Sequence, residues 1–204
     1  MNQTSAMHPT SPVHPTSLMQ QALGQDWDAL PAPLRRHYQF ASHTTVGTLD
    51  VAYPRWMQPL LTGLRQIGAL VHRRGERLPT HVAKRMDNDG LTQRWHRDIR
   101  FADGQSIVFR SHWRYAGSNR LVEYVNPLLG LCMAVSVENG CLHYRGQHFE
   151  LKLGTLRLPL PEWLLLGHTE IVEKPLDDER FIMNFHIRHP LFGETFRYGG
   201  EFRA

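Results

Sequence analysis

The chain has 204 residues, a length that suits one domain, and its 41% hydrophobic and 21% charged residues exclude wholesale disorder. The formal net charge is +4 and comes mainly from arginine, but no basic block or nucleic-acid-binding module accompanies it. The two cysteines, Cys132 and Cys141, match neither a disulfide framework nor a zinc-binding spacing. We therefore expect no nucleic-acid partner and no bound metal.

Residues 1–17 are rich in Pro, Ser, Thr and His and have no apolar periodicity, which predicts a disordered tail. They lack the basic and apolar regions of a signal peptide, and no apolar run in the chain approaches the roughly 20 residues of a membrane span. These features predict a soluble, cytoplasmic protein with one folded domain over residues 18–204 and no membrane span.

The first predicted elements are mostly helical. Leucines spaced along residues 18–38 predict short N-terminal helical turns that are interrupted by prolines. A strand is predicted over Thr44–Ala52, and Pro54 then opens a longer helix, because proline favours the first helical turn. Apolar residues at helical spacing continue this helix to an expected end near Gly68.

The remainder of the sequence has the pattern of strands and tight turns. From Thr80 onward, turn-forming residues separate runs of about 8–12 residues, the spacing of short antiparallel strands. We expect an α+β fold dominated by a strongly curved antiparallel sheet, either a half-barrel or a barrel. The one long helix should pack on this sheet or plug it.

One hairpin can be predicted in register from its turn. Asn139-Gly140 is a strong signal for a two-residue turn, because both residues accept a positive φ. This turn pairs Val137 with Leu142 and directs their apolar face to the core. The apolar alternation changes parity after Gly146, which predicts a β-bulge there.

A second hairpin gathers polar residues on one face. If Asp103-Gly104 is a two-residue turn, Arg97 pairs with Arg110. The predicted face then carries Trp95, Arg97, Ile99, Phe101, Ser106, Val108, Arg110 and His112. The next turn, near Gly117-Ser118, adds Glu123 to this face if it has an even number of residues, whereas an odd number directs Glu123 to the opposite face.

Two opposed arginines are unfavourable unless an anionic group lies between them. Glu123 is the carboxylate available to neutralise this pair, and an acidic ligand is the alternative. We predict a ligand-binding site in which Arg97 and Arg110 hold the head of a small apolar or amphipathic molecule, including an acidic one. Glu123 orients the arginines, and Trp95 and His112 complete the site.

Two other interpretations of this face stay open. Arginine and glutamate that alternate along strands also form ordinary solvated faces, with cross-strand pairs worth about 0.2–1 kcal/mol each. An enzyme would use Glu123 or Asp98 with His112 or His96 as acid and base. No glycine-rich phosphate loop is present, so no cofactor is predicted, and a binding module is favoured over an enzyme.

Short segments spread along the chain resemble a bacterial family known as domain of unknown function 4166. The matching segments are Leu30-Pro31, Leu34-Arg35-Arg36, Trp95-His96-Arg97-Asp98, Phe101, Phe109-Arg110-Ser111, Leu121-Val122-Glu123, Gly140 to Tyr144, Leu158-Pro159-Leu160-Pro161, Pro190-Leu191-Phe192-Gly193 and Tyr198-Gly199-Gly200. The resemblance implies no specific reaction. It implies a companion role beside a saccharopine-dehydrogenase-like oxidoreductase, which would here be a separate polypeptide.

Overall fold

A computed structural model describes residues 17–40, 42–66 and 68–204, and its architecture consists of antiparallel β-strands and a few short helices. The strands are β1 His43–Ala52, β2 Gly75–Met86, β3 Thr92–Arg100, β4 Ser106–Tyr115, β5 Arg120–Tyr124, β6 Leu129–Glu138, β7 Cys141–Leu153, β8 Leu156–Leu160, β9 His168–Pro175, β10 Arg180–His189 and β11 Gly193–Arg203. The α-helices are α1 Leu18–Leu23, α2 Ala32–Gln39, α3 Gln58–Arg65 and α4 Glu162–Leu165, and 3₁₀ turns cover Gly24–Ala29 and Arg55–Met57.

Ten of these strands close into a barrel. The strands follow the order β6-β5-β4-β3-β2-β1-β11-β10-β9-β7, and β7 also pairs with β6, which closes the ring. β8 lies outside the ring and pairs with β7. Closure removes exposed sheet edges and surrounds a common core with inward-facing side chains. The predicted curved antiparallel sheet is therefore confirmed, and it is a closed barrel.

The two ends of the barrel differ. α1 packs against β4, β5 and β6, and α2 packs against β9 and β10, so these helices cover one end, here called the α1–α2 end. Ser17 caps α1, because its Oγ accepts a hydrogen bond from the backbone N–H of Gln20 at 3.2 Å. The strand directions place α3 and α4 at the opposite end, here called the α3–α4 end. The predicted disordered tail lies outside the described residues apart from Ser17.

The prediction of one long helix was wrong. A 3₁₀ turn covers Arg55–Met57, and α3 runs only from Gln58 to Arg65. Pro59 has no backbone N–H to continue a regular helix from the preceding turn. In α3 only Leu61 is fully buried, so little packing energy would reward a longer helix at this position. None of the helices in the described ranges has the length and apolar character needed to cross a membrane.

The predicted β6–β7 hairpin is confirmed in turn and register. Asn139 and Gly140 have φ values of 50° and 72°, as the two-residue turn requires. Val137 lies opposite Leu142. Leu142 has no exposed surface, so this face belongs to the core as predicted.

The predicted bulge is also present and positions α4. The β6–β7 register shifts next to Gly146, which pairs with Met133. A Cβ atom at Gly146 would overlap the carboxylate of Glu162 in α4. That carboxylate is 2% exposed and accepts a hydrogen bond from the Thr169 backbone N–H at 3.0 Å. The bulge therefore leaves space for a buried acid that joins α4 to β9.

Close approach of β1 and β11 depends on glycine. A Cβ atom at Gly200 would overlap the backbone oxygen of Thr48 and lie 2.8 Å from its carbonyl carbon. Backbone atoms in a closed ladder cannot move aside without disturbing neighbouring hydrogen bonds.

We expect Gly200→Ala to lower the free energy of unfolding by about 1–3 kcal/mol, the usual cost of overpacking. Gly63→Ala is the matched control, because a Cβ atom there meets nothing within 4 Å and alanine favours the helix. Urea denaturation should show a loss for the first variant and no loss for the second. Equal stabilities of both variants and the unmodified chain would contradict the packing argument.

Candidate functional site

The β3–β4 turn differs from the predicted two-residue turn. Phe101 N–H donates to the Gln105 carbonyl at 2.8 Å, so the loop between them has three residues. Gly104, the last loop residue, has a φ of 80°, the left-handed conformation that such three-residue loops require. Asp103 accepts a hydrogen bond from Gln105 N–H at 3.2 Å, which favours the longer loop.

This additional loop residue changes which side chains share a face. Arg97 pairs with Phe109, and the predicted pairing of Arg97 with Arg110 was wrong. Arg110 and His112 lie on the outer face of the barrel wall. His112 stacks there on Tyr124, with ring centroids 5.0 Å apart. Arg97 and Arg110 are therefore not an opposed pair.

Arg97 nevertheless meets Glu123, because the β4–β5 loop also has an odd number of residues. Glu123 pairs with Trp113, and its side chain faces the barrel interior beside Arg97. Arg97 Nη2 donates to Glu123 Oε1 at 3.1 Å, and its Nη1 donates to Ser111 Oγ at 2.9 Å. Ser111 Oγ donates in turn to Glu123 Oε1 at 2.5 Å. The predicted contact between Arg97 and Glu123 is therefore present, because both loops have an odd number of residues and the two changes of face compensate each other.

The ion pair is largely withdrawn from solvent. The side chains of Arg97 and Glu123 are 14% and 12% exposed. Burial by itself would lower the pKa of Arg97, but the Glu123 carboxylate raises that pKa overall, so the guanidinium stays charged. The guanidinium also lies over the rings of Trp95 and Phe109, 5.3 Å and 5.2 Å from their centroids.

A second polar cluster lies deeper in the barrel, next to α2. Tyr144 donates its hydroxyl hydrogen to the Tyr38 hydroxyl oxygen at 2.5 Å, and Tyr38 donates to Glu173 Oε1 at 2.8 Å. Lys84 Nζ donates to the His37 carbonyl oxygen and lies 5.0 Å from the centroid of the Tyr38 ring. Glu173 and Lys84 are only 3% and 4% exposed.

Burial changes the protonation of this cluster. It raises the pKa of Glu173 to about 7, although Tyr38 and Lys84 act in the opposite direction. It lowers the pKa of Lys84 to about 7, although Glu173 acts in the opposite direction. Burial also raises the pKa of Tyr38 and Tyr144 well above the ordinary value, so both hydroxyls keep their protons. The cluster therefore gains or loses charge near neutral pH.

Two cavities lie within the barrel. An inner cavity of about 60 Å³ is lined by residues of both polar clusters. An outer cavity of about 360 Å³, lined mostly by apolar side chains, lies towards the α3–α4 end. Leu70, Phe109, Glu123 and Tyr198 line both cavities, so the two spaces adjoin.

Hydrogen-bond donors around the inner cavity are unused. Trp95 and Trp113 line this cavity, each is 4% exposed, and neither indole N–H has a hydrogen-bond partner among the described residues. The Tyr198 hydroxyl, at the junction of both cavities, also has no such partner within the described ranges. Burial raises the pKa of Tyr198 to about 12, so this hydroxyl remains a donor. A group that accepts hydrogen bonds would satisfy all three.

The family model of the Domain of unknown function (DUF4166) matches residues 30–202. The chain belongs to this family. No curated protein and no solved structure matches the chain. The resemblance seen in the sequence is therefore confirmed, and the matched range of this DUF4166 domain contains both polar clusters.

The structure brings together only part of the predicted site. Trp95, Arg97 and Glu123 surround the interior of the DUF4166 barrel, whereas Arg110 and His112 lie on the outer face. Whether any of these five residues binds a ligand stays a prediction.

The sequence analysis missed the deeper cluster and Ser111. One signal was available, because Lys84 and Glu173 occupy inward positions in strands whose alternate residues are buried.

Replacing Glu123 should show how much the interior ion pair contributes to the stability of the DUF4166 fold. We expect Glu123→Gln to lower the free energy of unfolding by about 3 kcal/mol, because Arg97 would remain buried without a counter-charge. Glu138→Gln is the control, since Glu138 pairs with Arg145 at 2.6 Å on the exposed surface. It should cost less than about 1 kcal/mol. Equal losses in urea denaturation would argue against an important interior pair.

Glu173 should make stability depend on pH. Its carboxyl pKa is raised from 4.5 to about 7 in the fold, so the folded chain binds this proton more tightly than the unfolded chain. The resulting stabilisation is complete below pH 4.5 and is lost as the pH rises to about 7. Relative to the unmodified chain, Glu173→Gln should gain about 3 kcal/mol between pH 5 and pH 8.

Denaturation curves at several pH values provide the measurement, and Glu170→Gln is the control. Glu170 lies on the same strand, but its side chain is exposed. The difference between the Glu170→Gln variant and the unmodified chain should stay constant across this range. A constant difference for Glu173→Gln as well would contradict the raised pKa.

Proposed function

We propose that this DUF4166 domain binds a small amphipathic molecule inside the barrel. The head of the molecule, which accepts hydrogen bonds, occupies the inner cavity, and its apolar body occupies the outer cavity. The observation that carries this proposal is the pair of unused buried donors on Trp95 and Trp113, together with the partly buried Tyr198 hydroxyl, at the inner side of an apolar space.

The chemistry of the head follows from these donors. An indole N–H and a protonated phenol donate hydrogen bonds, and a buried donor without a partner costs about 1–3 kcal/mol. Arg97 already has Glu123 as its counter-charge, so the unmet groups are neutral donors. A carboxyl or carbonyl oxygen satisfies them. A water molecule needs roughly 10–15 Å³ of such space, so an inner cavity of about 60 Å³ admits a small polar group.

The chemistry of the body follows from the outer cavity. Its volume of about 360 Å³ falls within the usual range of small-molecule sites, roughly 300–1,000 Å³. Leu60 and Leu64 of α3, together with Leu165 of α4, line this cavity. Leu60 and Leu165 are also exposed at the surface, so the cavity lies close to solvent at the α3–α4 end. An aliphatic or aromatic body suits this lining.

The acid–base enzyme considered from the sequence is not favoured. Glu123 faces the interior, whereas His112 faces outward from a neighbouring strand. Asp98 and His96 share the outer, convex face of β3. Neither arrangement forms a cleft in which an acid and a base reach a common proton. A companion role beside an oxidoreductase and a cytoplasmic location stay predictions from the sequence.

Three probes with the same hydrocarbon chain test the polarity of the head. Decanoic acid and methyl decanoate accept hydrogen bonds, whereas the ammonium head of decylamine only donates them. We expect the first two to bind in calorimetric titration and decylamine to bind at least tenfold more weakly. Stronger binding of the acid than of the ester would identify a charged head.

Trp113→Phe should weaken binding of the two accepting probes about fivefold, the effect of one lost hydrogen bond. Trp27→Phe is the matched control, because Trp27 is also buried in the core but lines neither cavity. Equal effects of the two variants would contradict the proposed head position. Absence of binding by every probe, with no small molecule on the purified protein in native mass spectrometry, would contradict the function itself.

A further inference from the structure

The chain connections at the α3–α4 end form one surface. Because neighbouring strands are antiparallel, the same end holds the connections 53–74, 101–105, 125–128, 154–155, 161–167 and 190–192. Several of these connections expose large apolar side chains instead of burying them. The residues that define this apolar rim are Trp56, Leu60, Trp163, Leu164, Leu191 and Phe192.

The apolar rim is contiguous and adjoins the outer cavity. The rings of Trp56 and Phe192 lie 5.7 Å apart, and Phe192 stacks on His189 at 4.6 Å. His189 Nε2 donates to the Trp163 carbonyl oxygen at 2.9 Å. Leu60 belongs to the rim and also lines the outer cavity. Leu191 is 82% exposed and Phe192 is 61% exposed, values far above those of core residues.

The longest connection at this end is strongly basic. The connection 53–74 contains four arginines and no carboxylate. Arg55 and Arg65 are exposed, and Arg55 directly precedes Trp56 of the rim. The facing β3–β4 turn has one acid, Asp103, which is already paired with an arginine of this connection at 2.7 Å. An anionic partner surface would therefore complement the α3–α4 end.

We propose that the α3–α4 end docks on the surface of a lipid bilayer that contains anionic lipids. Trp and Phe side chains are favoured at the boundary between headgroups and acyl chains, and leucines insert just beneath it. Exposed arginines add about 1 kcal/mol each beside an anionic leaflet. The protein rests on the membrane with the outer cavity facing the lipid. This docking goes beyond the proposed ligand binding and can be tested without any ligand.

A partner protein is the other class of occupant for an exposed apolar surface. Two features favour the bilayer. The rim contains two tryptophans and a phenylalanine, and the exposed Arg55 directly precedes Trp56, a composition that interfacial membrane anchors share. The rim also borders a cavity suited to amphipathic molecules, which partition into membranes, so docking would place the cavity next to their source.

Sedimentation with vesicles tests the proposal on the full chain. One vesicle type contains equal parts of phosphatidylglycerol and phosphatidylcholine, and the other contains phosphatidylcholine alone. We expect binding to the anionic vesicles to be at least fivefold stronger and to weaken as salt screens the arginines. Equal binding to both types, or no binding to either, would overturn the proposal.

Variants locate the contact. Leu191→Glu combined with Phe192→Glu should weaken vesicle binding at least tenfold, because two carboxylates would enter the bilayer boundary. Leu91→Glu is the matched control, since Leu91 is 58% exposed but lies in the β2–β3 turn at the α1–α2 end. Circular dichroism should show that all variants remain folded. Equal losses for the control and the rim variant would overturn the assigned surface.

Fluorescence quenching provides a second measurement that needs no destabilising change. Brominated lipids should quench Trp56 and Trp163 in the bound protein, whereas Trp95 and Trp113 lie inside the barrel. The double variant Trp56→Phe and Trp163→Phe should therefore lose most of the quenching and keep at least half of the binding. If analytical ultracentrifugation shows self-association through the rim and no vesicles bind, the bilayer proposal is overturned. The occupant of the rim is then a second copy of the chain.

Discussion

Closure of the sheet by the β6–β7 ladder creates the enclosed space on which every interior charge depends. An open sheet would leave one face of Arg97, Glu123 and Glu173 accessible to water, and their interactions would be weak. Within the closed wall, Arg97 and Glu123 join β3 to β5 through a short, poorly solvated contact. Electrostatic attraction is stronger in such surroundings, but an unmatched charge there is also more costly. A charged residue in the interior therefore needs a matched counter-charge.

The β-rich architecture could be predicted because its turns have strong local signals. Asn139-Gly140 favours one turn geometry, so the register of β6 and β7 follows directly from the sequence. Asp103-Gly104 is more ambiguous, since the same dipeptide fits a two-residue turn or the end of a three-residue loop. The positions of apolar residues in β3 and β4 could have decided between these two loop lengths. Placing Trp95 and Trp113 on one buried face requires the longer loop, because their separation fixes the parity of the turn.

The deeper cluster could be predicted only in part. Alternation along β2 indicates that Lys84 faces inward, and alternation along β9 indicates the same for Glu173. Their proximity to Tyr38 and Tyr144 depends on which strands face each other across the barrel. The two tyrosines are 106 residues apart in the chain, and no local pattern relates them. The long helix was predicted wrongly because apolar spacing in 54–68 reflects a surface beside the outer cavity, with little of the burial that sustains a longer helix.

The bulge at Gly146 has a consequence for how this chain can change during evolution. The carboxylate of Glu162 occupies the space where a side chain at 146 would project, and it also holds the start of β9. A larger residue at 146 therefore either displaces the Glu162 carboxylate or is matched by a shorter residue at 162, and both changes weaken the attachment of α4 to β9. These two positions should vary together among homologous sequences, and α4 should shift wherever the pair differs.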